Sequence, residues 1–102
     1  MGKREVVWTN TAIRQVNYVF DYWNERNRST SYSSKLLEQV NIRMQTIIAF
    51  PNSGRKTDFK KTLVTSLGHY SIFYQHDKSR IIITGFWDNR QDPSKLLDFL
   101  KT

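Results

Sequence analysis

The stretch IIITGFWDNRQDP, residues 81–93, decides the fold of this chain. Its three successive isoleucines make the run Arg80–Trp87 apolar on both faces, which predicts a central strand of a sheet. The strand leads into a polar loop that contains Arg90, and Pro93 is well placed to open a final short helix because its fixed φ suits the first helical position. Small α+β proteins often place functional residues at such a strand exit, where polar groups project from a rigid base.

Upstream of this stretch, the sequence predicts two more strands and a pair of helices. Strand-like runs occupy roughly Thr62–Leu67 and His69–Gln75, and Gly68 predicts a tight reversal between them. Before them, apolar residues recur at helical spacing in two segments between about residues 10 and 50. A polar turn separates these segments, and the breaker sequence PNSG, residues 51–54, ends the second one.

Residues 4–8 contain two valines and a tryptophan and favour a short first strand. The predicted order is therefore β-α-α-β-β-β-α, an α+β fold in one domain spanning residues 1–102. Two amphipathic helices joined by a short turn form a hairpin, and their apolar faces must pack against a common surface. We expect that surface to be a roughly four-stranded, mainly antiparallel sheet, with the first strand joining alongside the later three.

The composition narrows the function classes. Sixteen Lys and Arg against nine Asp and Glu give a net charge of +7 and a pI of about 9.9, which favours a polyanionic partner, either nucleic acid or an acidic protein. The chain contains no cysteine and two histidines, His69 and His76, so we expect neither disulfides nor a metal site. No apolar run approaches the roughly 20 residues that cross a bilayer. We expect no signal peptide, no membrane span, no cofactor and a cytoplasmic location.

The ordered combination of these segments resembles the RelE/ParE superfamily of bacterial toxins. The segments that carry the resemblance are the opening strand with Trp8, the helical hairpin, the PNSG stop, the strand YSIFY at 70–74 and the closing Ile83–Pro93 segment with its loop DNRQ. The resemblance covers nearly the whole chain. Members are the toxin halves of type II toxin–antitoxin modules and are also called plasmid-stabilisation proteins.

The resemblance implies partners and two alternative activities. RelE-like members bind the ribosome and cleave mRNA, whereas ParE-like members poison DNA gyrase; both kinds are neutralised by an antitoxin with a flexible, often acidic segment. We expect that segment to lie along the sheet edge and the helical hairpin, to bury the tyrosine-bearing strand and to pair with the basic residues of the connector 55–61. A homodimer within the antitoxin complex is compatible with the resemblance. A non-toxic basic RNA-binding domain is a third interpretation, from a different functional class.

The residues that carry an activity differ between these alternatives. In the nuclease alternative the resemblance assigns phosphate stabilisation to lysines before the second strand and to an arginine at the last strand exit, with His69 as a candidate acid or base. RelE-like members also carry a histidine or tyrosine near the C-terminus, and none follows Trp87. That departure favours a ParE-like toxin. The candidate catalytic residues, if the protein is a nuclease, are Lys60, Lys61, His69 and Arg90; the candidates for binding phosphate or the target are Arg55, Lys56, Lys60, Lys61, Asn89 and Arg90.

Overall fold

A computed structural model describes residues 4–90 of the chain. Two helices and five strands follow one another in the order β-α-α-β-β-β-β. The elements are β1 (Glu5–Trp8), α1 (Asn10–Asn27), α2 (Ser31–Ala49), β2 (Arg55–Lys56), β3 (Leu63–Leu67), β4 (Tyr70–His76) and β5 (Arg80–Asp88).

The strands form one sheet in the order β1-β5-β4-β3-β2. β1 runs parallel to β5, with Glu5 opposite Arg80, and the other pairs are antiparallel. The expected central position of the isoleucine-rich strand is confirmed, since β5 lies between β1 and β4. The sheet has five strands where four were expected, because Arg55–Lys56 of the basic connector pairs with β3 as a short edge strand.

The helix boundaries follow from local chemistry. Thr9 caps α1, its side-chain oxygen accepting a hydrogen bond from the Ala12 N–H at 3.2 Å. The helix ends at Arg28, which adopts a left-handed conformation with φ 50°. The side chain of Ser33 in α2 donates a hydrogen bond to the Asn24 side chain in α1, which joins the two helices of the hairpin near their connection.

The core lies between the helices and one face of the sheet. Its largest fully buried side chains are Tyr74, Phe86, Ile47, Ile72, Ile81, Ile83 and Val40. Alternation along β4 places Tyr70, Ile72 and Tyr74 together in this cluster. The register shifts between Phe73 and Tyr74, where Thr84 of β5 is left without a partner residue.

β5 continues beyond the end of β1, and a side chain of α1 covers the exposed part of its edge. The Thr9 N–H donates to the Ile83 carbonyl at 3.0 Å, and the chain then turns into α1. Three residues further along β5, the Phe86 N–H donates to the side-chain oxygen of Gln15 at 2.9 Å. An α1 side chain therefore supplies the acceptor that a neighbouring strand would otherwise supply.

The final helix expected from Pro93 lies outside the described residues. Within residues 4–90, no helix is long and apolar enough to cross a membrane.

Candidate functional site

The exit of β5, the C-terminal part of α1 and the start of β4 converge on the Arg90 side chain. The guanidinium of Arg90 donates two hydrogen bonds, each 2.9 Å long, to the two carboxylate oxygens of Asp88. Its central carbon also lies 5.6 Å from the centre of the Trp23 ring and 5.9 Å from that of Tyr70. Aspartate thus holds the arginine over two aromatic faces, an arrangement that combines a bidentate ion pair with cation–π attraction.

Tyr70 links the aromatic residues of this site. Its hydroxyl accepts a hydrogen bond from the Trp23 indole N–H at 3.1 Å and shares another, also 3.1 Å long, with the Tyr32 hydroxyl. The Tyr70 ring stacks on Phe86, with 5.1 Å between ring centres. Tyr70 is only 2% exposed. Through these contacts it links both helices and two adjacent strands.

This environment changes the acidity of the groups involved. Burial, followed by the hydrogen bond to Tyr32, raises the pKa of Tyr70 to about 12. The hydrogen bonds from Arg90 lower the pKa of Asp88, and the same contact raises the pKa of Arg90. At neutral pH the site therefore holds a neutral phenol next to a fully ionised pair.

A cleft of about 340 Å³ opens beside this cluster. It lies between α1 and the end of β5, and its walls are Tyr18, Val19, Tyr22, Trp23, Arg26, Asp88 and Arg90. Arg26 lies 5.9 Å from the Trp23 ring centre and donates to the Tyr22 hydroxyl at 3.3 Å. Within residues 4–90 Arg26 has no carboxylate partner, unlike Arg90. The cleft thus combines exposed aromatic surface with one uncompensated cation.

Two other predicted site residues lie at the same end of the sheet. The Asn89 N–H donates to the His69 carbonyl at 2.8 Å, and the Asn89 side-chain oxygen accepts from the Ser71 hydroxyl at the same distance. The His69 side chain is exposed in the turn between β3 and β4. The structure therefore brings Asn89, Arg90 and His69 together, and it gives Asn89 a role in holding the loop onto β4.

The predicted lysines are at the other end of β4. The Gln75 side chain, near the end of β4, donates to the Lys60 carbonyl at 3.5 Å, whereas His69 directly precedes the start of the strand. A strand of seven residues spans about 20 Å at 3.3 Å per residue. Lys60 and Lys61 therefore belong to a different surface from His69 and Arg90.

Arg55 and Lys56, on the edge strand β2, point to opposite faces of the sheet. Lys56 is opposite Leu63, which packs against the helix side, whereas the Arg55 guanidinium donates to the Ser66 hydroxyl at 3.5 Å. His76 is the last residue of β4, and its Nε2 lies 2.8 Å from the Asn52 side-chain oxygen.

Sequence reasoning missed the residues that surround Arg90. The helical spacing of Trp23 is typical of a core residue, although its indole N–H and one face belong to the site. A tryptophan immediately before the polar helix end 24–28 was an available signal, as was the Tyr22–Arg26 pair at i, i+4 spacing. No sequence signal pairs Tyr32 with Tyr70, since that contact depends on how the hairpin docks on the sheet.

The described residues offer no cluster of three or more His, Cys, Asp or Glu side chains close enough to hold a metal ion. At the Arg90 end of the sheet, the cations can bind an anion, and the ring faces can bind an aromatic or apolar side chain.

Comparison with known proteins identifies the family. The sequence model of the ParE toxin of the type II toxin–antitoxin system parDE matches residues 6–93. The chain belongs to this ParE toxin family. The match begins within β1 and spans both helices, the other four strands and the whole Arg90 site.

A solved structure supports the same fold. The structure titled "Chromosomal ParDE TA system from P. aeruginosa" aligns with 82% of this chain and 94% of its own, with a TM-score of 0.70 and 14% sequence identity. At that identity the likeness establishes the fold alone. A search of curated proteins found no match.

Proposed function

We propose that this chain is a growth-inhibiting toxin that poisons DNA gyrase without cleaving RNA, and that an acidic antitoxin neutralises it in the cytoplasm. Its membership in the ParE family favours gyrase as the target. The structural observation that supports the proposal is the separation of the two candidate groups, with Lys60 and Lys61 at one end of β4 and His69 and Arg90 at the other.

Cleavage by attack of a ribose hydroxyl requires an acid, a base and a cation around one phosphate. The exposed His69 is separated from Lys60 and Lys61 by the length of β4. Tyr70 is a poor general base at neutral pH because its pKa is raised to about 12. Arg90 is already engaged by Asp88. These positions suit binding better than proton transfer.

The position of β4 changes where an antitoxin segment is expected to bind. β4 lies between β3 and β5, and both Tyr70 and Tyr74 are buried in the core, so no added segment pairs with this strand or covers its tyrosines. The cleft beside α1 is accessible instead. Its exposed Tyr18 and Tyr22 and its uncompensated Arg26 suit an acidic segment with apolar anchors.

The test is induction of the chain alone in bacteria, combined with mapping of mRNA 5′ ends and a supercoiling assay with purified gyrase. Growth arrest with intact mRNA and inhibited supercoiling would support the proposal. Arrest with new mRNA ends at codon-related positions would replace it with ribosome-dependent cleavage. Soluble protein without any arrest would refute the toxin assignment for this chain.

Neutralisation is tested by co-expression with the product of a small acidic open reading frame adjacent to the gene. Restored growth and co-purification are the expected result. Arg26→Gln should weaken that complex, while Arg14→Gln, an exposed arginine of the same helix that bonds only to Thr11 among residues 4–90, is the matched control.

A further inference from the structure

The proposed function leaves one cavity without a role, between α2 and the turn that joins β3 to β4. Its volume is about 190 Å³. Side chains from residues 32–39 of α2 form one wall, and residues 67–70 form the other. We call this cavity the turn pocket. It shares no lining residue with the cleft beside Arg90.

The hairpin wall of the turn pocket has a fixed backbone. Gly68 and His69 are the two residues between the paired ends Leu67 and Tyr70. Gly68 has a φ of 60°, in the left-handed region that a two-residue hairpin turn requires. The His69 carbonyl accepts a hydrogen bond from the Asn89 N–H at 2.8 Å, which holds the turn against the end of β5. The pocket is therefore bounded by an ordered turn.

The lining of the turn pocket is apolar where it is buried and polar where it is exposed. Leu36 and Leu67 are buried and contribute alkyl surface from opposite walls. Lys35 and His69 are exposed, and they also come from opposite walls. An apolar group is stabilised against the leucines, whereas an anion is attracted by the ammonium and accepts a hydrogen bond from the imidazole. The pocket thus suits a ligand that has an apolar body and an anionic head.

The described acidic side chains leave this anion-binding potential in place. Neither Lys35 nor His69 forms an ion pair with a carboxylate in residues 4–90. Asp88 ends the strand against which the turn is held, but both its carboxylate oxygens accept hydrogen bonds from Arg90. Gln39, one helical turn after Lys35, adds an exposed amide donor to the lining. A bound anion can therefore be held by an ammonium, an imidazole and an amide.

We propose that the turn pocket binds a small organic carboxylate with a compact apolar body, such as a single ring. The carboxylate accepts hydrogen bonds from Lys35, Gln39 and His69, and the body packs between Leu36 and Leu67. The volume limits the body to this size, since pockets for drug-sized ligands measure roughly 300–1,000 Å³. Inorganic phosphate would use the same donors but would leave the leucine surface uncovered. The inference depends neither on the cellular target of the toxin nor on its antitoxin.

The experiment is a titration of the isotope-labelled full chain, followed by two-dimensional amide NMR spectra. Benzoate is the probe, benzamide is its neutral isostere, and inorganic phosphate is an anion without an apolar body. The dispersion of the amide signals establishes that each variant is folded.

The test variants are Lys35→Gln and Gly68→Asn. A Cβ added to Gly68 would meet no atom within 4 Å apart from its chain neighbours, and asparagine tolerates a left-handed backbone. Its side chain should therefore enter the open space beside the turn without unfolding it. Lys78→Gln is the matched control, because Lys78 is an exposed lysine in the turn between β4 and β5, at the other end of β4.

Benzoate should shift the amide signals of Leu36, Gly68 and His69 in a saturable way. The dissociation constant should be about 1 mM, as expected for a ligand of about nine non-hydrogen atoms. Benzamide and phosphate should each bind at least about tenfold more weakly. Lys35→Gln should weaken benzoate binding about fivefold, and Gly68→Asn should abolish it. Lys78→Gln should stay within about twofold of the wild type, because charges that distant are screened.

Several results would overturn the proposal. They are the absence of a saturable shift with benzoate, equal binding of benzoate and benzamide, and wild-type affinity in Gly68→Asn or Lys35→Gln. Shifts centred on Val19 and Trp23 would also overturn it and would assign the ligand to the cleft beside Arg90. Phosphate binding as tight as benzoate binding would replace the proposal with a site for simple anions.

Discussion

The hydroxyl of Tyr74 accepts a hydrogen bond from the backbone N–H of Gly54 at 2.9 Å, and a Cβ added to Gly54 would lie only 2.6 Å from that oxygen. The same hydroxyl donates to the Pro51 carbonyl at 2.8 Å. Tyr74 is fully buried. One phenol therefore fixes the turn after α2 to the centre of the sheet, and the turn must have glycine where it meets that phenol.

Tyr74→Phe should lower the free energy of unfolding by about 1–3 kcal/mol, because it leaves the Gly54 N–H and the Pro51 carbonyl without their partner. Urea denaturation followed by circular dichroism measures the change. Tyr18→Phe, at a side chain that is 64% exposed, is the control and should change stability little. Equal stability of the two variants would contradict the role of the hydroxyl.

Gly54→Ala should destabilise the fold by a similar amount, about 1–3 kcal/mol, since the buried Tyr74 ring has no room to move away from a new methyl group. The double variant Gly54→Ala with Tyr74→Phe should lose less than the sum of the two single losses, because removing the hydroxyl removes the closest contact. Full additivity in a double-mutant cycle would argue against this steric explanation.

Gln15→Ala should cost about 1–2 kcal/mol in stability, because the Phe86 N–H loses its acceptor at the uncovered edge of β5. Gln15→Glu keeps an acceptor oxygen at the same place and should retain most of the stability. Amide hydrogen exchange at Phe86 provides a direct check: exchange should accelerate in Gln15→Ala and stay slow in Gln15→Glu. Unchanged exchange in Gln15→Ala would refute the assignment.

Tyr70 should make stability fall at high pH. Its pKa is raised from 10.0 to about 12 in the folded protein, so the neutral phenol is favoured by folding. The contribution is fully present below pH 10 and is lost as the pH rises toward 12. Tyr70→Phe should remove this part of the loss of stability at high pH. In an ultraviolet titration of the tyrosines, the same variant should lack the phenol that ionises last in the wild type. A wild-type titration without any phenol ionising above the ordinary range would contradict the burial of this group.

Asp88→Asn should make the free energy of unfolding depend less on pH in the acid range. The pKa of Asp88 is lowered from 3.8 by the hydrogen bonds from Arg90, so its contribution is present above that ordinary value and is lost as pH falls through the depressed pKa. At neutral pH the substitution should cost about 1 kcal/mol or less, because the Arg90 side chain is 44% exposed and solvent screens the pair. Asp58→Asn, at an exposed carboxylate, is the control. If both substitutions changed the loss of stability at acid pH equally, the prediction would be wrong.

Much of the fold was predictable because the relevant signals are local. Helical spacing and the PNSG stop predicted the hairpin, and the isoleucine run predicted the central strand. The fifth strand was missed because Arg55–Lys56 has neither apolar character nor length. It is a strand only because β3 provides an unpaired edge for its backbone.

The functional site was less predictable, because its contacts join residues far apart in sequence. Arg90 was singled out from its place at a strand exit, and its pairing with Asp88 is a local contact of the kind that sequence can indicate. The Trp23–Tyr70–Tyr32 contacts are not local. They depend on the angle at which the hairpin crosses the sheet, and no periodicity in the sequence encodes that angle.

The parallel pairing of β1 with β5 has a consequence for the order of assembly during synthesis. Glu5 leaves the ribosome early, but its partner Arg80 is made only after both helices and three further strands. Pairings between such distant segments pay a large loop-closure entropy and form late. The newborn chain therefore cannot complete its sheet, or position Asp88 and Arg90, until translation has passed β5. Any activity that requires the Arg90 site is thereby delayed until β5 has been synthesised.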